Sequence, residues 1–256
     1  MSSLIAAAAS LLVFCAPGYP GTSGDAQPLV GEFASTLAAA AAWPADSLTA
    51  VYDASEQSDL QRLMAPEAAL AFVPYPFFVQ HGAALHMVPL AQADVPPAGV
   101  QQRWTLVMKT GHAPPPAGLA GITLISTAGY AQDFVRDVLK AQGPLPADAT
   151  ITATGQVLSA LRRAATGDPV AVLLDQEQAG AMASLPFAAN LHAVATTAAV
   201  PVALIVVVDA RLPKARTDAL QQALLHLADN PGGAATLGRL RLKGFVLPKV
   251  PATPGS

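Results

Sequence analysis

The residues best suited to chemistry stand just past short apolar runs. Tyr19, Asp53, Tyr75, Ser126, Thr127, Asp175 and Gln176 each follow such a run or the turn after it. A short apolar run between turn signals reads as a buried strand. In open α/β sheets, ligands collect outside the carboxyl ends of the strands, where helix N-termini also point. The sharpest case is Ile122-Thr123-Leu124-Ile125-Ser126-Thr127-Ala128-Gly129-Tyr130, which runs straight into a helical pattern at 130–140. Two hydroxyls and the N–H groups of a helix start make an anion cradle, and Gly129 would let the backbone approach a ligand closely. Ser and Thr also cap helices without binding anything. Tyr19 and Tyr75 offer a ring face and a hydroxyl, or they plug a surface. Asp53 and Asp175 can accept from a ligand hydroxyl or amine, or cap the helices that follow them.

Catalytic arrangements are missing. The five histidines, His81, His86, His112, His192 and His226, show no paired metal-ligand spacing of the H-E-x-x-H kind. No G-x-S-x-G elbow or P-loop occurs, and Lys109-Thr110-Gly111 lacks the S-x-x-K that would make it a β-lactamase box. The chain reads as no enzyme, with no metal and no cofactor. Cys15 is the only cysteine, so there is no disulfide framework; it reads as a buried structural thiol.

The elements that must position these residues alternate along the chain. Strands are expected at 11–15, 48–52, 69–73, 104–108, 122–125, 170–174 and 204–208. Helices are expected at 28–42, 57–64, 130–140, 156–165, 177–183 and 217–228, with Ser55 or Ser58 capping the second and Thr154 the fourth. This alternation predicts α/β architecture with mainly parallel sheets covered by helices on both faces. The stretches 89–102 and 193–201 read as two crossings between lobes, giving one lobe from 10–95 with 200–247 and another from 103–195. The segment 248–256, with three prolines, reads as a loose tail.

Composition agrees. Of 256 residues, 52% are hydrophobic and 12% charged, against roughly 25% charged in ordinary soluble domains. The longest apolar run, 198–208, is eleven residues broken by Pro201, short of the about 20 that cross a bilayer. The net charge of −3 leaves no footprint for nucleic acid. Residues 1–100 hold eight acids and one base, 101–195 six of each, and 196–256 three acids and seven bases. An acidic beginning and a basic end fit one lobe built from both. Residues 4–14 have the apolar character of an export signal, but no Lys or Arg precedes Arg62, so the run at 11–14 is read as the first strand.

Several segments, in order over about residues 10–245, resemble the phosphonate/phosphate-type substrate-binding proteins of ABC importers, with the type II periplasmic binding protein fold. Ala71-Phe72-Val73-Pro74-Tyr75 is similar to the family's strand ending in a Gly-Pro/aromatic segment. Trp104-Thr105-Leu106-Val107-Met108-Lys109, followed by Gly118-Leu119-Ala120-Gly121-Ile122-Thr123-Leu124, resembles its strand, loop and second-lobe start. Ser126-Thr127-Ala128-Gly129-Tyr130 resembles its S-T-S-G-Y/F ligand loop, and residues 155–175 its site-closing segment. The resemblance implies two lobes joined by two hinge crossings, with a small ligand between them. Ser126, Thr127 and the N–H groups near Gly129 and Tyr130 would be the oxyanion contacts. It also implies an extracytoplasmic monomer that serves a membrane transporter. The chain departs from the pattern at Ala128, which removes a hydroxyl, in the absent Gly before Tyr75, and at Asp168-Pro169. A lost donor in a dry site costs about 1–3 kcal/mol. The alternative is a carrier of a hydrophobic ligand, such as a sterol or other lipid, prompted by the low charge, Ala128 and the apolar segment 74–79; a ligand-sensing domain is a third reading.

Overall fold

The computed structural model describes residues 9–18 and 23–250. Their contacts divide them into two compact units. The first holds residues 9–16, 23–100 and 201–250; the second holds 17–18 and 101–200.

In the first unit the chain runs β1 (Ser10–Cys15), α1 (Ser23–Ala40), β2 (Leu48–Asp53), α2 (Glu56–Leu63), β3 (Ala68–Pro74), α3 (Tyr75–His81) and β4 (Val88–Asp94). In the second it continues through β5 (Gln101–Gln102), β6 (Thr105–Lys109), β7 (Thr123–Ser126), α4 (Gln132–Leu139), β8 (Thr150–Ala153), α5 (Val157–Thr166), β9 (Val170–Leu174), α6 (Gln176–Met182) and β10 (Leu191–Thr196). After β11 (Val200–Pro201), β12 (Ala203–Val207), α7 (Lys214–Leu225), α8 (Pro231–Arg239) and β13 (Gly244–Val246) complete the first unit.

Alternation along β1 decides the layers of the first unit. Leu12 and Phe14 face α1, α7 and α8, joining Phe33, Leu37, Leu220, Leu224, Leu237 and Phe245 in one core. The Phe14 ring meets Phe33 and Phe72 edge-on, at 5.6 and 5.2 Å, a geometry that aromatic quadrupoles favour. Val13 and Cys15 turn to the other face, where α2 and α3 lie. In the second unit α5 packs Ala160, Leu161 and Ala164 against Val107, Ile125 and Val172. On its opposite face Phe134 of α4 meets Trp104 edge-on at 5.3 Å.

The sheets are mixed rather than mainly parallel. The order in the first is β13-β4-β12-β3-β1-β2, and in the second β10-β6-β9-β7-β8. In the first sheet, β1 pairs in parallel with β2 and β3, while β12 runs antiparallel between β3 and β4, and β13 antiparallel beside β4. In the second, β9, β7 and β8 are parallel and β6 lies antiparallel between β9 and β10. The cause is where the chain comes in. Ala203, which opens β12, sits beside Pro74 at the end of β3. Thr105, which opens β6, sits beside Leu174 at the end of β9. A chain that arrives at the carboxyl edge of parallel strands can only run back down.

Parts of both expected crossings are strands. β4 occupies 88–94 and β10 occupies 191–196, so the irregular stretches are shorter than expected. Of the remaining crossing residues, 101–102 and 200–201 pair as the two-stranded sheet β5–β11. Ser55 caps α2 by accepting from Ser58 N–H at 3.2 Å. Thr154 does not cap α5, whose N-cap is Gln156; the Thr154 hydroxyl accepts from Gln156 N–H at 2.9 Å instead. In the expected tail, Lys249 N–H donates to Gln92 Oε1 at 3.2 Å, and residues 251–256 lie outside those described. No helix among the described residues is long and apolar enough to cross a membrane.

Candidate functional site

Parallel pairing of β8, β7 and β9 brings the turns that follow them together. Ser126 ends β7, level with Ala153 of β8 and Leu173 of β9. Its hydroxyl is fully buried, donates to Leu173 O at 2.8 Å and accepts from Ala128 N–H at 3.2 Å. Both of its roles are thus spent inside the chain. The turn's own N–H groups are spent similarly: Gly129 donates to Ser126 O at 3.1 Å and Ala131 to Ala128 O at 2.9 Å. The helix starts two residues later than expected, at Gln132, with Ala131 as N-cap and Asp133 in its first turn. That carboxylate already answers part of the helix dipole. Tyr130 is half-buried just before the cap.

Gly129 is explained by packing. A Cβ there would sit 2.3 Å from Thr152 O and 2.5 Å from Ala153 N, so this glycine admits the backbone of β8 rather than a ligand. Gly18 (φ +83°) makes a second close approach, with a Cβ position 2.6 Å from Thr127 O. The loop after β1 therefore passes over the turn after β7 within the second unit. Tyr19, one residue on, lies outside the described residues.

After β9, Asp175 caps α6 in a complete capping box. Its carboxylate accepts from Gln178 N–H at 2.8 Å, and its own N–H donates to Gln178 Oε1 at 3.2 Å. Burial pushes the Asp175 carboxyl above its ordinary pKa, partly offset by the Gln178 N–H it accepts from. Because Oε1 of Gln178 is anchored, its Nε2 is turned toward Thr127 Oγ1, 3.5 Å away. Gln176, one residue into α6, accepts a 3.4 Å bond from Arg103 N–H. Thr127, Asp175 and Gln178 thus come together, though the sequence pointed only to the first two. The signal for Gln178 was present: an Asp followed three residues later by Gln is a capping pattern.

In the first unit, the ends of β2, β1 and β3 carry ionic groups. Asp53 closes β2 and is bound by Arg62 Nε from α2. Glu56, in the first turn of α2, meets His81 Nε2 at 2.8 Å. Between these pairs Asp59 is completely buried. Burial pushes its pKa up to about 8. Tyr75 does not present its ring as a free platform: it opens α3, is buried, and stacks on Phe78 at 6.2 Å. Among the described residues, no cluster of His, Cys, Asp and Glu could hold a metal ion.

No protein-family model and no curated protein matches the chain, but solved structures do. XAC2383 from Xanthomonas citri, solved with bound chloride, aligns with a TM-score of 0.70 at 14% identity, over 96% of this chain and 93% of that one. PhnD1 from Prochlorococcus marinus, in complex with methylphosphonate, aligns with a TM-score of 0.63 at 13% identity, over 93% of each chain. A binding protein component of an ABC phosphonate transporter from Pseudomonas aeruginosa aligns at 0.59 and 11% identity, over 94% of this chain and 82% of that one. At such identities the likeness speaks for the fold alone. With its two α/β units and mixed sheets, the chain has the type II periplasmic binding protein fold.

Proposed function

We propose that this chain is an extracytoplasmic solute-binding protein that captures a phosphate- or phosphonate-like oxyanion and delivers it to a membrane transporter. One observation carries the reading. Thr127 Oγ1 and Gln178 Nε2 stand 3.5 Å apart at the carboxyl edge of β7 and β9, with the amide held in orientation by Asp175 N–H. At that separation the two groups barely satisfy each other. An anionic oxygen accepting from both would replace one long contact by two charge-assisted bonds, each about twice as strong as a neutral one. The methylphosphonate complex with the same fold supports this choice of ligand class. Ser126 then serves as the support that fixes the turn, and Thr127 as the contact. Gln176 and Tyr130, of the same unit, remain candidates for the ligand's other groups.

The hydrophobic-ligand alternative loses one of its three motives. The apolar segment 74–79 is the start of α3, and Tyr75, Pro76, Phe77 and Phe78 are all buried in packing.

Isothermal titration with phosphate, phosphite and methylphosphonate tests the proposal. At a hundredfold excess over Kd a true ligand also raises stability by about 2.7 kcal/mol. Thr127→Val, which keeps the shape and removes the hydroxyl, is expected to weaken the best of the three by about tenfold or more. The reading is overturned if none of the three binds, or if Thr127→Val binds as the parent does.

A further inference from the structure

Asp59 is a carboxyl placed where no carboxylate should rest. It has no exposed surface, and neither side-chain oxygen finds a hydrogen-bond partner among the described residues. Ionised, it would be a buried charge with only the weak Cys15 thiol beside it to donate, a costly state for a carboxyl.

Its surroundings supply no counterion of its own. From β1 it meets the Cys15 thiol. From β2 it meets Asp53, and Tyr52 also feels its charge. On its own helix lie Glu56 and Arg62, and from α3 comes His81, which is held by Glu56. Arg62 is bound to Asp53. The Arg62 guanidinium and the His81 ring are thus each engaged by another carboxylate, and Asp59 is the third acid in the cluster.

We propose that Asp59 is a proton switch: it packs against Cys15 as the neutral acid, and loss of its proton drives it out of the interior and loosens the first turn of α2 from the end of β1. Burial, with Asp53 and Glu56 reinforcing it, raises the Asp59 pKa to about 8, against the partial opposition of Cys15 and Arg62. Burial likewise pushes the Cys15 thiol well above its ordinary value, with Asp59 adding to the rise. Both groups are therefore protonated at neutral pH. The sign of the pH effect follows. An unfolded Asp ionises near about 4, so between there and about 8 the folded chain holds one proton more than the unfolded chain. Stability from this group is full below the lower value and is lost as pH rises through the higher one. The switch acts at the end of β2 as well, because Ala16 N–H donates to Asp53 O at 2.9 Å and the Asp53 carboxylate lies close enough to act on Asp59 by its charge.

Cys15 is the only cysteine in the chain, so it reports the opening directly. Maleimide labelling of the whole protein is measured from pH 6 to 9 and divided, at each pH, by the rate for free cysteine. The normalised rate is expected to rise about tenfold per pH unit up to the Asp59 pKa and to level off above it, and to stay flat in Asp59→Asn. An identical profile in the two proteins overturns the proposal. Carbon-13 NMR of the aspartate carboxyls of the unaltered chain covers the case in which Asp59→Asn does not fold. One aspartate carboxyl is expected to titrate near pH 8, while the ordinary ones finish below about pH 6. If no aspartate titrates above pH 6.5, there is no switch.

Discussion

The ends of β1, β2 and β3 in one unit and of β7, β8 and β9 in the other are made by the same backbone device, parallel neighbours that stop at a common edge. What they hold is different. The first edge carries titratable groups, Asp53 with Arg62 and Glu56 with His81, plus the buried Asp59. The second carries hydroxyls and an amide locked by short-range bonds, Ser126 to Leu173 and Gln178 to Asp175. Where one partner of a pair reaches water, as Arg62 does though Asp53 is buried, the pair can rearrange at smaller cost because water screens that side. Buried hydroxyls cannot, because every bond they lose is left unmade. The comparison assigns rigidity to the second unit's edge and a response to pH to the first.

The strongest way to break that comparison is at Gly129. Ala at this position forces the turn off the β8 backbone, since the added Cβ would stand 2.3 Å from Thr152 O. Urea unfolding is expected to show a loss of about 3 kcal/mol, at the upper end of overpacking costs. Gly180→Ala, in α6 of the same unit with nothing within 4 Å of the new Cβ, should instead gain roughly 1 kcal/mol from helix propensity. Equal losses in the two variants would mean the second edge is not built on close approach.

Next comes Ser126→Ala, which strips two bonds from a buried position and should cost about 2 kcal/mol. Its counterpart at the first edge, Arg62→Ala, breaks a pair whose guanidinium side is half exposed. It should cost less than about 1 kcal/mol, and less still in 1 M salt. If the arginine proves the costlier loss, the contrast between the edges fails.

How much of this was legible beforehand follows from the residues themselves. β9 reads easily because its five apolar residues are all buried. β4 does not, since Pro89, Gln92 and Asp94 interrupt it; buried Gln92 spends its amide on Val100 O, eight residues on, and on Lys249 N–H, 157 residues away. β8 is an edge strand whose residues 150–153 are mostly exposed, so hydropathy cannot find it. α8 holds Gly232, Gly233 and Gly238 against its propensity, and forms because Asn230 caps it and Leu237 is buried. Strand direction was illegible for a different reason: it depends on where the chain re-enters a sheet, which no local pattern encodes. At the site, the Ser126–Thr127 turn was visible as hydroxyls after an apolar run. That the Ser126 hydroxyl is spent on Leu173, forty-seven residues away, was not.

The smallest expected effect bears on Asp175, a buried acid at the end of β9. It accepts from Gln178 N–H, yet burial raises its pKa. The folded chain therefore holds this proton more tightly than the unfolded chain, and the group's contribution to stability falls as pH rises above the ordinary Asp range. Asn can accept the same N–H and carries no charge to bury. Asp175→Asn should thus be neutral or more stable by roughly 0.5 kcal/mol at pH 7, with a gain that fades toward pH 4, whereas Asp175→Ala should lose about 1 kcal/mol by giving up the cap. Thermal melts at the two pH values separate these outcomes. A loss from Asn as large as that from Ala would show that the charge itself is needed, and would make the two edges alike in the one respect that now divides them.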